Sequence, residues 1–427
     1  MKSKLKPTAP ASRRHFFRSL ALGSLIGLLC GCGESGKPSG SSASASAETS
    51  ASGDPDPAND KIVTIYTWDM YLNPELLTEF QKRTGLEVQP LIYESSDEMV
   101  DGLKSEPGRY DLFICEDGYI PIVAGKRLMK EVDKKKLPHY KNLDPKFLDQ
   151  PFDPENQFTV PYLWGTTLLA YRKDLLPNPS HSWNIIFDPA LKNRISFLDD
   201  RMEGYAGVLR TMGINLPDAD VTSIKKAAET MVDLVRNNGM RLGGGNEVKQ
   251  HLLDGISAVS MIYSGDAALI AKENPTVPIG YFIPDEGATV WTDSFCISRD
   301  TTRLANAYKF LDFMIEAKSA AASANFLSYA SPNKAAVEFI NPELLADETI
   351  NPRQEVLDKC RYFQLRDVDS ARMVNDGWRR VQEAWMERSG QALNSLEKQT
   401  ASTPDGEPPA ADAPAAAPEG KIDTAPN

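Results

Sequence analysis

Long apolar runs are missing from this chain of 427 residues. The one sustained run, residues 20–29, is about half the roughly 20 residues that a spanning helix needs, so no transmembrane helix is expected. Histidine is scarce: of four, His15 lies near the start, and His139, His181 and His251 are isolated, without the short spacings of a metal site. They read as surface or capping residues, and no metal is expected. GxSxG, HExxH, Walker and GxGxxG patterns are absent, and Gly243-Gly244-Gly245 lacks the Lys-Ser/Thr that completes a phosphate loop. With no nucleophile and base to nominate, the sequence predicts no catalytic residue, no cofactor and no enzyme. Cysteine is sparse as well. Beyond the N-terminal segment only Cys115, Cys296 and Cys360 remain, without a CxxC pair, so no disulfide is expected to define the fold. An excess of basic residues is lacking too, with 47 Lys and Arg against 59 Asp and Glu. All of residues 1–31 contain six basic side chains and no acid, which leaves 41 against 59, or −18, for the remainder. Such a field repels phosphate backbones and anionic lipid, and nucleic acid is excluded as a partner. The 41% hydrophobic and 25% charged content excludes disorder throughout.

The N-terminus carries an address. Basic residues, the apolar run 20–29 and small residues near Gly31 have the layout of an export signal. Ser12-Arg13-Arg14-His15-Phe16-Phe17 resembles a twin-arginine signal. Leu29-Cys30-Gly31-Cys32 resembles a bacterial lipobox, which would make Cys32 the lipid-modified first residue of the mature protein. Residues 32–60, rich in Ser, Ala, Gly and Pro, then read as a flexible tether, and residues 391–427 as a disordered tail.

Between them, residues 61–390 exceed the size at which a single core usually splits. Residues 62–66 form a β-rich run that ends at Trp68. Asn73-Pro74 opens a helix that Gly85 stops, residues 86–92 form a second strand, and Ser95 with Glu98 has capping-box spacing before a short helix. A third strand ends at Glu116. This alternation predicts an α/β fold with a parallel sheet, in which ligands gather beyond the carboxyl ends of the strands. Further strands are expected near 168–171, 195–198 and 258–263, with helices near 205–212, 224–237 and 304–315. Aromatic and acidic residues crowd the strand ends: Trp68-Asp69, Tyr71, Glu116-Asp117, Tyr263 with Asp266, Trp291 with Asp293, and Asp200 with Glu203. Ring faces attract ammonium groups and carboxylates hold them by charge-assisted hydrogen bonds, so the pattern suits an alkylamine.

From Ile62 to about Trp385 the chain resembles the spermidine/putrescine-binding proteins of bacterial ABC importers. The resemblance rests on Tyr66-Thr67-Trp68 with Tyr71, Phe80 to Gly85, Tyr93-Glu94-Ser95, Lys136-Leu137 through Asn142-Leu143-Asp144-Pro145, and Pro161-Tyr162-Leu163-Trp164-Gly165. Trp291-Thr292-Asp293-Ser294 and Tyr329-Ala330-Ser331-Pro332-Asn333 complete it. It implies a two-lobed periplasmic binding protein of the Venus-flytrap, type II form, with lobe one at 61–166 plus 292–335 and lobe two at 167–291 plus 336–390. Residue by residue it assigns Trp68, Tyr71, Asp200, Glu203, Tyr263, Asp266, Trp291, Asp293, Tyr329 and Gln364 to the ligand. Asp293 is the foremost ammonium partner. Two departures bear on ligand length: the acid of the first motif stands at Asp69, with Met70 in its usual place, and Glu116-Asp117-Gly118 replaces small hydroxyl residues and an aromatic. Asp69 and Glu116 are therefore added to the candidates. The implied protein is a monomer in the periplasm or cell envelope, held to the membrane only through its lipid anchor. It delivers putrescine or spermidine to an inner-membrane ABC permease. Binding of another organic cation, or polyamine sensing in the envelope, are the alternatives.

Overall fold

In a computed structural model of the protein, residues 61–401 are described. The segments read from sequence as export signal and tether, with Cys32, and residues 402–427 lie outside them.

Ten strands build one mixed sheet: β1 (Ile62–Thr67), β2 (Glu87–Ile92), β3 (Leu112–Glu116), β4 (Met129–Lys130), β5 (Thr159–Arg172), β6 (Ile195–Leu198), β7 (Arg241–Gly243), β8 (Val259–Tyr263), β9 (Ile279–Phe282) and β10 (Thr289–Ser298). Their order is β2-β1-β3-β10-β5-β8-β6-β7, with β4 on β10 and β9 on β5. The local signals act as expected at the start. Asn73 accepts the Glu75 amide at 2.9 Å and caps the helix Pro74–Thr84, and Gly85 ends it in a left-handed conformation, φ 72°. Ser95 caps Ser96–Ser105, but the return bond of its expected box runs from the Glu94 amide to Glu98.

The parallel pairing expected from the first strand–helix alternation holds for β1, β2 and β3, and the sheet is mixed beyond them. β1 runs parallel to β2 and β3, and β6 to β7 and β8, but β10 is antiparallel to both β3 and β5. The 14-residue β5 was legible only in its second half, because its first half reads Thr-Val-Pro-Tyr-Leu-Trp-Gly without alternation. It is buried on both faces, which removes the period-2 signal. This strand joins two cores. Its first half pairs with β10, and its second half lies between β8 and β9. Val63, Ile65, Phe80, Leu112, Phe295 and Phe310 belong to one apolar cluster, and Phe197, Tyr205, Met261, Ile262 and Trp378 to the other. Between the clusters lies a small one containing Trp164, Val290, Ala330 and Cys360.

Two expectations are corrected. The helix expected near 205–212 begins at Arg201, since Asp200 caps it through the amides of Met202 and Glu203. The last helix runs Val368–Ala401, eleven residues into the segment assigned to the disordered tail. The sequence over that stretch, QALNSLEKQTA, is dominated by strong helix formers, which propagate a helix already anchored by Val374, Trp378 and Val381 in the second core. Cys115, Cys296 and Cys360 are free and buried.

Candidate functional site

The ends of β1, β3, β6 and β8 bring their side chains to β10, where the two cores meet. Trp68 and Tyr71 follow β1, and their ring centroids stand 5.2 Å apart at 83°. Tyr71 lies 6.3 Å from Tyr329, Tyr329 5.1 Å from Trp291, and Trp291 5.8 Å from Tyr263 at the end of β8. Five sequence-predicted aromatics therefore form one continuous ladder of edge-on contacts, the geometry that the ring quadrupole favours. Two glycines make room for it. A Cβ on Gly165, opposite Trp291 across β5 and β10, would sit 2.6 Å from the indole, and one on Gly265 would collide with the ring of Tyr329.

Carboxyls line the same ladder. Asp293, only 7% exposed on β10, accepts a 2.5 Å hydrogen bond from the Tyr71 hydroxyl. Burial pushes it up to about 7, against the pull of that bond. Glu116 faces Asp293 in register across β3 and β10 and accepts from the Ser96 hydroxyl. Burial and, next, the Asp200 carboxylate push it up to about 8. Glu203, 2% exposed in the first turn of the Arg201–Arg210 helix, accepts from the Thr167 hydroxyl. It is likewise raised to about 8, by burial and then by Asp200. Asp200 itself is raised by burial, while the amides that it caps favour its ionised form. At neutral pH Asp293 is about half-protonated and Glu116 and Glu203 mostly protonated, so each gains much from a cation that arrives with its own charge.

Not every predicted residue joins this group. Asp266 is held in an ion pair with Lys249, Nζ to Oδ1 3.1 Å, so its charge is already met inside the protein. Asp69 and Gln364 are exposed, and neither shares in the cluster's hydrogen bonds or ring contacts. Asp117 was passed over as a site residue. The short helical turn Asp117–Tyr119 folds it inward, 1% exposed. Its oxygens close no hydrogen bond, although the amides of Gly118 and Thr292 lie near enough to favour its ionised form. Burial, then Glu116 and Asp293, hold it well above the usual carboxylate range. Two adjacent acids at a strand end announced that both could not face solvent-free space on a period of two; only the turn brings both inside. Arg201, Tyr119 and Asp97, also missed, form a separate contact described below. Thr67 Oγ1, Thr166 Oγ1, Trp291 Nε1 and Ser294 Oγ nearby are among the buried polar atoms of the described residues that close no hydrogen bond. Among the described residues no group of His, Cys, Asp and Glu is arranged to hold a metal. No described helix is long and apolar enough to cross a membrane.

Residues 75–352 match the family of bacterial extracellular solute-binding proteins. A spermidine/putrescine-binding periplasmic protein of Escherichia coli K12 is 31% identical over 294 residues, 68% of this chain and 83% of that protein. Two solved structures share the two-lobed fold. A Listeria monocytogenes protein provisionally assigned to a spermidine/putrescine ABC transporter is 30% identical, covering 75% of this chain and 99% of that one, with a TM-score of 0.70. The spermidine/putrescine ABC transporter substrate-binding protein of Streptococcus pneumoniae, solved with calcium and HEPES, is 25% identical over 76% and 99%, with a TM-score of 0.67.

Proposed function

The chain belongs to the bacterial extracellular solute-binding proteins, and we propose that within that family it captures a polyamine, putrescine or spermidine, and hands it to an inner-membrane ABC permease. The observation that carries this reading is Asp293: a carboxyl nine-tenths buried, bound only to the Tyr71 hydroxyl, and set in a ladder of five rings. A methylene chain lies against the rings while an ammonium takes the carboxylate, and water has no need to accompany either. Glu203 and Glu116 supply further charge from the helix at Arg201 and from β3. The cleft walls are residues 61–166 with 292–335 and 167–291 with 336–390; the two apolar clusters support such a division in outline, although Trp291, Ala336 and Ile340 pack with the first. Contacts from both walls favour closure, since a ligand shifts an equilibrium by its differential affinity for the two states. The protein acts as a monomer in the periplasm, tethered through Cys32, and has no catalytic step.

A melting panel with putrescine, cadaverine, spermidine, spermine, arginine and thiamine tests this. A ligand at a hundred times its Kd stabilises the native state by about 2.7 kcal/mol. Polyamines should raise Tm by several degrees; a response to arginine or thiamine alone would refute the reading.

A further inference from the structure

Arg201 is the first residue of its helix, where the positive end of the helix dipole disfavours a cation. Its side chain is nevertheless held in place, 27% exposed, by acceptors from the other wall. Nη2 donates to the Tyr119 hydroxyl at 2.7 Å, and that hydroxyl donates in turn to Asp97 at 2.9 Å. Nη1 lies 3.6 Å from Asp97, and the guanidinium stands over the Tyr119 ring at 5.4 Å. It touches neither Glu116 nor Asp200, yet its charge favours the ionised form of both. Resting on the polyamine reading, we propose that Arg201 is a specificity-determining residue: its guanidinium stands as a built-in cation at the Glu116–Asp200 end of the cleft, so the site takes a diamine in preference to a triamine or tetraamine.

The charges elsewhere point the same way. Asp266 is already paired with Lys249, while Asp293 and Glu203 make no ion pair among the described residues, although the buried Arg210 guanidinium favours the ionised form of Glu203. These two are therefore the acids left to bind terminal ammonium groups. Glu203 lies against Thr167, which pairs with Thr289, and Asp293 follows four residues later on β10, about 13 Å along the strand. Trp291 stands between those two positions on the same face of the strand, where the methylene chain of a diamine would lie. A third ammonium, carried on toward Glu116, would meet the guanidinium and be repelled.

Calorimetric titration of the wild type, Arg201→Ala and Arg201→Gln with putrescine and spermidine at pH 7.5 reads the ratio of the two Kd values. The wild type is expected to bind putrescine at least tenfold more tightly than spermidine, and both substitutions to shift the ratio toward spermidine at least fivefold. A merely structural role for Arg201 would weaken both ligands together and leave the ratio alone. Gln retains a donor for Tyr119, so it decides the matter if the Ala variant does not fold. A wild type that prefers spermidine, or a ratio that moves less than fivefold, overturns the inference while leaving amine binding intact. Failure of every amine to bind the wild type overturns the polyamine reading and this inference with it.

Discussion

Capture of a polyamine in this cleft should be coupled to proton release between pH 6 and 8. Asp293 stands at about 7 and Glu203 at about 8 without ligand, because burial outweighs the hydrogen bonds each accepts. Alkylamines, with pKa values near the roughly 10.4 of lysine, stay charged across this range. Each carboxyl must therefore lose its proton before it can pair with an ammonium. At about 1.36 kcal/mol per unit, lowering the pH from 8 to 6 adds about 2.3 kcal/mol to that cost at Glu203 and about 1.4 kcal/mol at Asp293. Together these weaken affinity by a few hundredfold. Carboxyls at their ordinary value, near 4, would be ionised at both pH values and change nothing. Titration calorimetry in buffers of different ionisation enthalpy measures both quantities. Kd should rise steeply toward pH 6, and at pH 7 about 1.4 protons should be released per ligand, the sum of a nearly full proton at Glu203 and half of one at Asp293. A Kd constant within threefold from pH 6 to 8, with an enthalpy indifferent to the buffer, would refute the assignment of these two buried acids to the ligand.

Three other outcomes follow from the same geometry. In the ligand-free protein a carboxyl whose folded pKa is raised contributes stability that is present below about pH 4.5 and is lost as the pH climbs through 8. Thermal scans without ligand should therefore show Tm falling from pH 5 to 8.5, with the ligand-induced rise largest at the alkaline end. Asp293→Asn keeps the shape but removes one charged acceptor, a loss of about 1.5–3 kcal/mol, so calorimetry should show Kd up by ten- to a hundredfold and the proton count at pH 7 lower by about half a proton, from about 1.4 to about 0.9. In Gly165→Ala the new methyl group meets the Trp291 ring at 2.6 Å and Ser264 Oγ at 2.9 Å, so the indole must shift. Quenching of tryptophan fluorescence by added polyamine should diminish and affinity fall at least tenfold, and unchanged values would show the ladder to be dispensable.

Much of the architecture was legible where physics is local. Asn73, Gly85 and Ser95 act through backbone groups within a few residues, so their signals survive in the bare sequence, whereas the equally local cap at Asp200 went unread. The ends of β1, β3, β6 and β8, after which Trp68, Glu116, Glu203 and Tyr263 stand, were legible for the same reason: these strands are short hydrophobic runs with clear stops. What could not be read is set by distance in the chain. That β10 inserts antiparallel between β3 and β5 depends on pairings across more than a hundred residues, and neither strand carries an alternation to reveal it. The partners of the acids were equally hidden. Asp266 and Lys249 stand 17 residues apart, Arg201 and Tyr119 82 apart.

Those hidden partners change what the acidic inventory means. Counted along the chain, Asp69, Glu116, Asp200, Glu203, Asp266 and Asp293 suggest a cleft for many ammonium groups. Folded, Asp69 is exposed, Asp266 is neutralised by Lys249, and Arg201 shares the field around Glu116 and Asp200. The protein's own cations thus set the ligand's charge. An acid selects an amine best where no internal cation reaches it first, and in this cleft that condition is met at Asp293, while Glu203 on the opposite wall makes no ion pair but lies in the field of the buried Arg210 guanidinium.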